Sequence, residues 1–550
     1  MNQLKIRFCR IEPVLLFLIP VLYFIAGSYF RNLLGNISLR NCDPEYIFFM
    51  SGLTLSDGLF KVAHIDNPGT PLQVFLALTF RIIYFFRGSS YPFIEDVFLY
   101  PDLYLAISNL LITALTAVLL VYAGKKVLQH TNSVFYAFLV QTAPFLPVIW
   151  YDLIGRIVPE LMLPFPVILL TVLVIKICYR DENPSNSDVI QFAIISSFGM
   201  AVKLTYLPLW IIPFFIVTGW KRRLTFLASA ILLFFVIAFP VALQIETFWG
   251  WIKNLIIHSG QYGKGDSNLL DLAAFRMNMK ELFYYERNYF NVFFGLIVTF
   301  VGYLIFYRKK TEKRIVYVTV AVILTVFVQL ALVGKHFAHR YFIPVLMLSP
   351  LMVFLIGEMI RRLWKHKSAV YIIHTGIAFF LLWQIKINHD WLQIKSEAMR
   401  KDIENRLPTW HYASLLDTKE NYLFIASQNY GSPFIEYTLT YSHIWGNLKK
   451  RIEYAPILDK LYPYTFNYFP WDNSLKYWVD GFDVAKITTS GKLVYVYLEN
   501  DNEGLYSSFL EKLKTESETD FSADRELLYK NPATTEVIYL LSFKLSEPIF

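Results

Sequence analysis

Two acidic motifs stand in the first long polar segment of the chain. The first, at 41–46, reads Asn-Cys-Asp-Pro-Glu-Tyr and contains Asp43 and Glu45, and the second begins at Asp66 and continues Asn-Pro-Gly-Thr-Pro. A carboxylate fixed beside a membrane surface can serve as the general base for a substrate that is anchored in lipid. Ordinary solvated loop acids are the alternative that the spacing alone leaves open.

A group of mixed charge follows an apolar run near residue 150. It consists of Asp152, Arg156 and Glu160. The guanidinium of Arg156 can bind an anion, and the two carboxylates can hold a metal ion or orient a hydroxyl group. Helix capping and anchoring at the membrane surface are the alternative explanation.

Cations next to apolar runs predict a phosphate-binding site. Lys203 lies between two short apolar runs, where an ionisable group costs about 2.5–3.5 kcal/mol on insertion scales and usually faces a partner or a cavity. Lys335, His336, His339 and Arg340 share one short loop. Such cations suit a phosphate at the level of the lipid headgroups. A snorkelling lysine and a basic loop that only anchors the chain at the surface are the alternatives.

The segment 258–266 is rich in glycine and polar residues. It contains His258 and Tyr262 but lacks the GxxxxGK[ST] spacing of a nucleotide-binding loop. We predict a flexible lid over the substrate, in which His258 and Tyr262 are candidates to contact the acceptor, the sugar or a metal.

The composition indicates which kind of fold must position these groups. The chain has 550 residues, of which 55% are hydrophobic, 17% aromatic and 17% charged, whereas about a quarter of a soluble domain is charged. This excludes a soluble cytosolic enzyme, a disordered chain and a disulfide scaffold. The net charge of +8 is expected in cytoplasmic loops, so it does not imply nucleic acid. Cys9, Cys42 and Cys178 are too few and too far apart for a metal motif.

Apolar runs predict about eleven transmembrane helices. They lie near 13–30, 103–123, 134–150, 160–178, 190–202, 204–219, 224–245, 290–307, 315–333, 342–360 and 369–386. The run 72–87 contains Arg81, and counting it as a span would invert every later loop, so we predict an interfacial helix there.

The distribution of lysine and arginine predicts the orientation. The segment before the first run is basic, and a cytoplasmic N-terminus places the loops richest in Lys and Arg on the cytoplasmic side. Residues 31–102 then form a long first extracytoplasmic loop, and everything after about 387 also lies outside. The tail has strand-like runs at Tyr422–Ala426 and Leu493–Leu498 and a helical pattern near 504–515. We therefore predict a transmembrane catalytic domain at 1–388 and a small soluble extracytoplasmic α/β domain at 389–550.

Taken together, these features resemble the GT-C superfamily of membrane glycosyltransferases, in the branch of the protein O-mannosyltransferases and the lipid A aminoarabinose transferase. The positions that carry the resemblance are Asp43 to Tyr46, Asp66 to Pro71, Arg156 to Glu160, Lys203, and His339 to Tyr341 with Pro344. The likeness covers roughly residues 10–390. The family's adjacent acidic pair is split here by Pro44, which leaves Asp43 and Glu45 as alternatives for the leading acid.

The resemblance implies transfer of a sugar, with inversion, from a polyprenyl-phosphate donor to an extracytoplasmic glycolipid, glycan or protein. Asp43 would deprotonate the acceptor. The residues expected to neutralise the phosphate are Lys203, Lys335, His339, Arg340 and Arg156. Asp66, Asp152 and Glu160 would contact the sugar, the acceptor or a divalent metal ion, and metal dependence is left open. The composition favours a bacterial inner membrane.

Two other functions fit a polytopic chain. An O-antigen polymerase or ligase usually relies on a large late loop, whereas the first loop is the large one here. A lipid-linked oligosaccharide transporter predicts inverted repeats and ionisable groups near the middle of the membrane. The sequence shows no such repeat.

Overall fold

The computed structural model describes residues 14–180, 183–258, 265, 271–306, 313–364, 366–428, 430–479, 486–487, 490–517 and 521–545. Within these ranges six helices are long and apolar enough to cross a membrane. They are Pro101–Thr131, Pro159–Cys178, Arg287–Phe306, Lys313–Lys335, His339–Leu363 and Ser368–Ala413, and two shorter apolar helices are Leu18–Leu34 and Leu204–Ile216. The protein is thus a multi-pass helical membrane protein, as predicted, but the count of eleven spans is not confirmed.

Prolines divide the apolar run at 134–150, which the sequence predicted as one span. The helix Val134–Gln141 is followed by the 3-10 turn Ala143–Phe145 and by the single-turn helix Trp150–Leu153. Pro144 and Pro147 have no backbone N–H and cannot continue a helix that is already under way. The run therefore consists of short pieces.

The chain forms two compact units. Unit 1 contains Met1–Asn32, Ile65–Leu72 and Asn109–Lys395, and unit 2 contains Leu33–His64, Gln73–Ser108 and Ser396–Phe550. The predicted domain division at residues 388 and 389 stays a prediction.

Unit 1 is helical throughout its described residues. Its α-helices, wholly or largely, are Leu18–Leu34, Pro101–Thr131, Val134–Gln141, Trp150–Leu153, Pro164–Cys178, Asn186–Val202, Ile211–Ile216, Trp220–Ile237, Phe239–Ala242, Ile245–Ile257, Leu272–Tyr285, Arg287–Phe306, Lys313–Lys335, Ile343–Leu346, Ser349–Leu363 and Lys367–Ala413. Its 3-10 segments are Ala143–Phe145, Pro159–Met162, Leu204–Trp210 and His339–Phe342.

Unit 2 combines helices with one mixed sheet. The helices are Glu45–Ser56, Thr70–Arg87, Phe93–Leu99, Ile435–Ile444, Leu448–Leu461 and Glu503–Ser517, with a 3-10 turn at Ile37–Leu39. The helix predicted at 72–87 is present, and its position at a membrane surface stays a prediction. Its Arg81 donates a hydrogen bond to the carbonyl of Ser56 over 2.7 Å and lies 3.7 Å from the ring centre of Phe93.

The strands of the sheet in the described residues are β1 Tyr422–Ala426, β2 Thr465–Phe469, β3 Ser474–Lys476, β4 Val494–Leu498, β5 Phe521–Lys530 and β6 Val537–Leu545. Their order across the sheet is β3-β2-β1-β4-β6-β5. β1 is parallel to β2 and β4, and the helices Ile435–Ile444 and Leu448–Leu461 provide the crossover that the parallel pairing of β1 with β2 requires. Every residue of β1, β2 and β4 is buried. The predicted α/β character of the tail is confirmed.

Candidate functional site

Breaks between helices position the predicted residues of unit 1. Glu160 belongs to the 3-10 turn Pro159–Met162, and His339 and Arg340 open the 3-10 turn His339–Phe342. Lys203 follows the helix Asn186–Val202 with an extended backbone, at φ −160° and ψ 133°. Irregular backbone inside a membrane protein is tolerated where it is buried in protein or lines a cavity, which makes these breaks the first places to look for a site.

Glu160, Lys203 and Arg340 form a buried charge cluster. Lys203 donates a hydrogen bond to Glu160 Oε1, and Arg340 Nε lies 3.6 Å from the same oxygen. Only 4% of the Lys203 side chain and 1% of the Glu160 side chain are exposed. Asp66 is also near enough to interact electrostatically with Lys203. The partner that the structure gives Lys203 is thus a carboxylate, and its predicted role toward phosphate stays a prediction.

An apolar groove of about 640 Å³ lies beside this cluster. Tyr341 joins the two, because it lines the groove and its ring centre lies 4.6 Å from Lys203 Nζ. The apolar walls include Leu207, Trp210, Ile231, Phe234, Phe248, Trp249, Trp251, Ile252 and Ile256. Several of these side chains are open to the surroundings, with Trp249 64% and Ile256 57% exposed. Exposed apolar surface of this kind marks a binding groove or a contact with lipid.

Polar groups lie among the lining residues of the groove. They are Asn67, Thr205, Lys335, His336 and Tyr341. Lys335 Nζ donates to the carbonyl of Ile256 over 2.6 Å, and His336 Nε2 lies 2.9 Å from the carbonyl of Leu255. These two side chains are therefore fixed to the end of the helix Ile245–Ile257. An ammonium group has three donors, so Lys335 keeps donors for a further acceptor.

His339 has an acidic partner that the sequence did not single out. Its Nε2 lies 2.9 Å from Glu286 Oε1, and the same oxygen accepts a hydrogen bond from the backbone N–H of Val148 over 3.0 Å. Glu286 is 2% exposed. A buried carboxylate with two partners fixes the orientation of the imidazole. Glu286 follows a helix and precedes another, and nothing in its local sequence distinguishes it from a surface acid.

The acidic group near residue 150 does not converge on one point. Asp152 pairs with Lys395 over 2.8 Å, whereas Glu160 pairs with Lys203. Arg156 is half-buried, and its backbone carbonyl accepts a hydrogen bond from Asn109 over 2.8 Å. Among the described residues, no three His, Cys, Asp or Glu side chains form a set that fits a metal ion. The roles predicted for Asp152 and Arg156 stay predictions.

The predicted lid is described only at its edges. His258 ends the helix Ile245–Ile257, and its Nδ1 lies 3.1 Å from the carbonyl of Gly265. Tyr262 lies outside the described residues. The role of this segment stays a prediction.

Asp43 and Glu45 belong to unit 2, and their surroundings differ. Glu45 is fully buried in the first turn of the helix Glu45–Ser56. Asp43 is half-buried, and its Oδ1 accepts a hydrogen bond from the phenol of Tyr441 over 3.0 Å. Burial and the nearby Asp43 carboxylate raise the pKa of Tyr441, so its phenol remains a donor. Of the two acids, Asp43 is therefore the more exposed.

Tyr441, the hydrogen-bond partner of Asp43, belongs to an aromatic cluster within unit 2. The rings of Tyr430 and Tyr441 lie 5.4 Å apart, and that of Trp471 lies 5.3 Å from Tyr430 and 6.4 Å from Tyr441. Trp471 is 48% exposed. The backbone fixes this arrangement, because the N–H of Cys42 donates to the carbonyl of Tyr430 over 2.8 Å. An exposed aromatic face beside a carboxylate can hold the apolar face of a ring whose hydroxyl meets the carboxylate.

No protein-family model matches the chain, and no curated protein matches it by sequence. Solved structures with a similar chain course include ArnT from Cupriavidus metallidurans bound to undecaprenyl phosphate, with a TM-score of 0.46 and 11% identity, and the same protein in the apo state, with a TM-score of 0.48 and 10% identity. Each comparison covers 94% of this chain and 97% of the other. TM-scores below 0.5 at such identity assign neither a family nor an activity to this chain, so the function has to be argued from the residues of the site.

Proposed function

We propose that this protein is a membrane glycosyltransferase that moves a sugar from a polyprenyl-phosphate donor to an extracytoplasmic acceptor. The groove of unit 1 carries the proposal. Its volume of about 640 Å³, its aromatic and aliphatic walls, and Lys335 and His336 among its lining suit a ligand with a long apolar part and an anionic group. A polyprenyl phosphate combines a long apolar chain with an anionic phosphate group.

The cations of the site then have a defined task. In the transfer, the bond between the sugar and the phosphate breaks and the polyprenyl phosphate leaves with an added negative charge. Fixed cations stabilise such charge strongly because they need no reorganisation as it develops. Lys335 supplies this charge directly, and His339 is held in place by Glu286. Lys203 and Arg340 contribute through the cluster with Glu160.

Asp43 is the proposed general base. It takes the proton of the acceptor hydroxyl, whose oxygen attacks the anomeric carbon as the bond to phosphate breaks. A single displacement of this kind inverts the configuration at that carbon. The exposed ring of Trp471 suits an acceptor that carries its hydroxyl on a sugar ring. The proposed location is the bacterial inner membrane, with Asp43 and the α/β tail on the periplasmic side.

Binding of the donor lipid tests the role of the groove. Purified protein in nanodiscs is titrated with polyprenyl phosphate and with the corresponding polyprenol, which lacks the phosphate. We expect the phosphate to bind about tenfold or more tightly, and Lys335→Gln to remove most of that difference, because hydrogen bonds to charged groups contribute about 1.5–3 kcal/mol. Lys280→Gln, on an exposed helix position, is the matched control. Equal affinity for the two lipids would overturn the proposal.

A further inference from the structure

Unit 2 has a cleft of about 530 Å³ whose lining residues have no role assigned above. It lies against the helices Ile435–Ile444 and Leu448–Leu461 and the strands β2 and β3. Its lining mixes charged, polar and aromatic side chains. The members that bear on a ligand are His443, Arg451, Lys476, Tyr477, Trp478 and Glu516.

Two cations line this cleft, Arg451 and Lys476. Within the described part of the chain, neither Arg451 nor Lys476 forms an ion pair or a side-chain hydrogen bond, and Arg451 Nε is a buried atom without an acceptor. Glu516 is the acid among the described lining residues, and it already pairs with Lys512 over 2.7 Å. A buried donor without an acceptor is costly, and a guanidinium is the side chain best suited to bind phosphate or carboxylate. The charge of the cleft therefore favours an anionic ligand.

The rest of the wall suits a sugar. Phe466 and Tyr477 stack with ring centres 4.6 Å apart, and the indole of Trp478 lies 6.2 Å from His443. His443 and Thr440 also line the cleft, where His443 Nε2 lies 2.9 Å from the carbonyl of Arg451 and the Thr440 hydroxyl accepts a hydrogen bond from Asn467 over 2.7 Å. Sites for small ligands combine aromatic walls with a few polar groups that fix orientation. An inorganic anion would use the cations but not the rings.

We propose that this cleft binds a phosphorylated saccharide, with Arg451 and Lys476 on the phosphate and the aromatic wall on the sugar. The same cleft would then hold an acceptor that carries such a group while its hydroxyl reaches the base. The role of the cleft in holding the acceptor rests on the proposed function, whereas the binding of a phosphorylated saccharide does not.

Direct binding to the full-length protein in nanodiscs tests the inference. The probes are glucose 1-phosphate, glucose and inorganic phosphate, and calorimetry reads the affinity. We expect glucose 1-phosphate to bind most tightly. Arg451→Gln and Lys476→Gln should each weaken it about tenfold or more. Lys449→Gln is the control on the same helix, since the Lys449 side chain is 70% exposed and pairs with Glu453, and it should change the affinity less than about twofold.

Several results would overturn the inference. If glucose bound as tightly as glucose 1-phosphate, the cations would not contribute to binding. If inorganic phosphate bound as tightly as glucose 1-phosphate, the aromatic rings would not contribute. Competition by nanodiscs rich in phosphatidylglycerol would assign the cleft to lipid headgroups instead. Arg451→Lys keeps the charge and should retain most of the binding, which separates the loss of a contact from a loss of folding. Asp43→Asn should bind like wild type, so a failure of the proposed catalysis leaves this result interpretable.

Discussion

Tyr441 is the residue for which the proposed catalysis by Asp43 gives the narrowest prediction. Its phenol donates to Asp43 over 3.0 Å and orients the carboxylate. Tyr441→Phe keeps the ring and removes only the hydroxyl, so we expect kcat to fall about 10–150-fold, which corresponds to one lost hydrogen bond to a charged group of about 1.5–3 kcal/mol. KM for the donor should not change. Steady-state transfer kinetics measure both constants. An unchanged kcat would separate Tyr441 from the base.

The Glu160 cluster gives a prediction about stability. Removing one member of a buried ion pair costs about 3–5 kcal/mol because a charge is left without compensation. Glu160→Gln should cost more than Lys203→Met, since it leaves both Lys203 and Arg340 without their shared carboxylate. Lys395→Gln breaks a pair whose side chains are 27% and 34% exposed and should cost no more than about 1 kcal/mol. Denaturation in detergent orders the three variants, and an effect of Lys395→Gln equal to that of Glu160→Gln would contradict this account.

The residue types in the sequence identified candidate site residues, but not the residues that these contact. Lys203 was expected to face a phosphate, and the structure pairs it with Glu160. The contact between Asp43 and Tyr441 joins residues 398 positions apart. The residues next to Glu286 in the sequence do not distinguish it from an acid on the surface. Partners of this kind follow from tertiary packing, which periodicity and composition do not encode.

The close approach of the segment 40–43 to the chain at 430–431 requires a residue without a side chain at Gly431. A Cβ at this position would overlap the backbone carbonyl of Arg40. Gly431→Ala should therefore separate the turn at 430–431 from the segment 40–43, with a loss of about 1–3 kcal/mol in stability and a fall in transfer. Gly376→Ala lies in the helix Lys367–Ala413, where an added Cβ meets no atom within 4 Å. It should be neutral or stabilising by up to about 1 kcal/mol. The melting temperatures of the two variants test whether Gly431→Ala is destabilising and Gly376→Ala is not.

The hydropathy of the sequence predicted the positions of the helices better than the residues at which they begin and end. The runs near 103–123, 315–333 and 342–360 lie within the helices Pro101–Thr131, Lys313–Lys335 and His339–Leu363. The run at 369–386 marks only the first part of the helix Lys367–Ala413, because the remainder is polar. Prolines broke the run at 134–150. The strands β1 and β4 were predicted almost to the residue, since short β-rich runs between polar segments are a strong signal.

The orientation of the whole molecule is testable with single cysteines. Lys449 has a 70% exposed side chain in unit 2, and Lys221 is exposed in unit 1. In a Cys9→Ser background, a reagent that does not cross membranes should label Lys449→Cys in intact spheroplasts and Lys221→Cys only after permeabilisation. Cys42 and Cys178 are buried and should give little background. The opposite labelling pattern would place the α/β tail in the cytoplasm and contradict the proposed location.

Sugar transfer by bacterial membranes tests the central claim most directly. Membranes that contain wild type, Asp43→Asn or Glu45→Gln are supplied with radiolabelled polyprenyl-phosphate sugars, and incorporation into endogenous acceptors is measured at equal protein levels. The account predicts transfer by wild type, loss of transfer in Asp43→Asn, and substantial transfer by Glu45→Gln, because Glu45 is fully buried. Equal transfer by wild type and Asp43→Asn would contradict the assignment of the base, and absence of transfer by wild type with every donor would contradict the glycosyltransferase proposal itself.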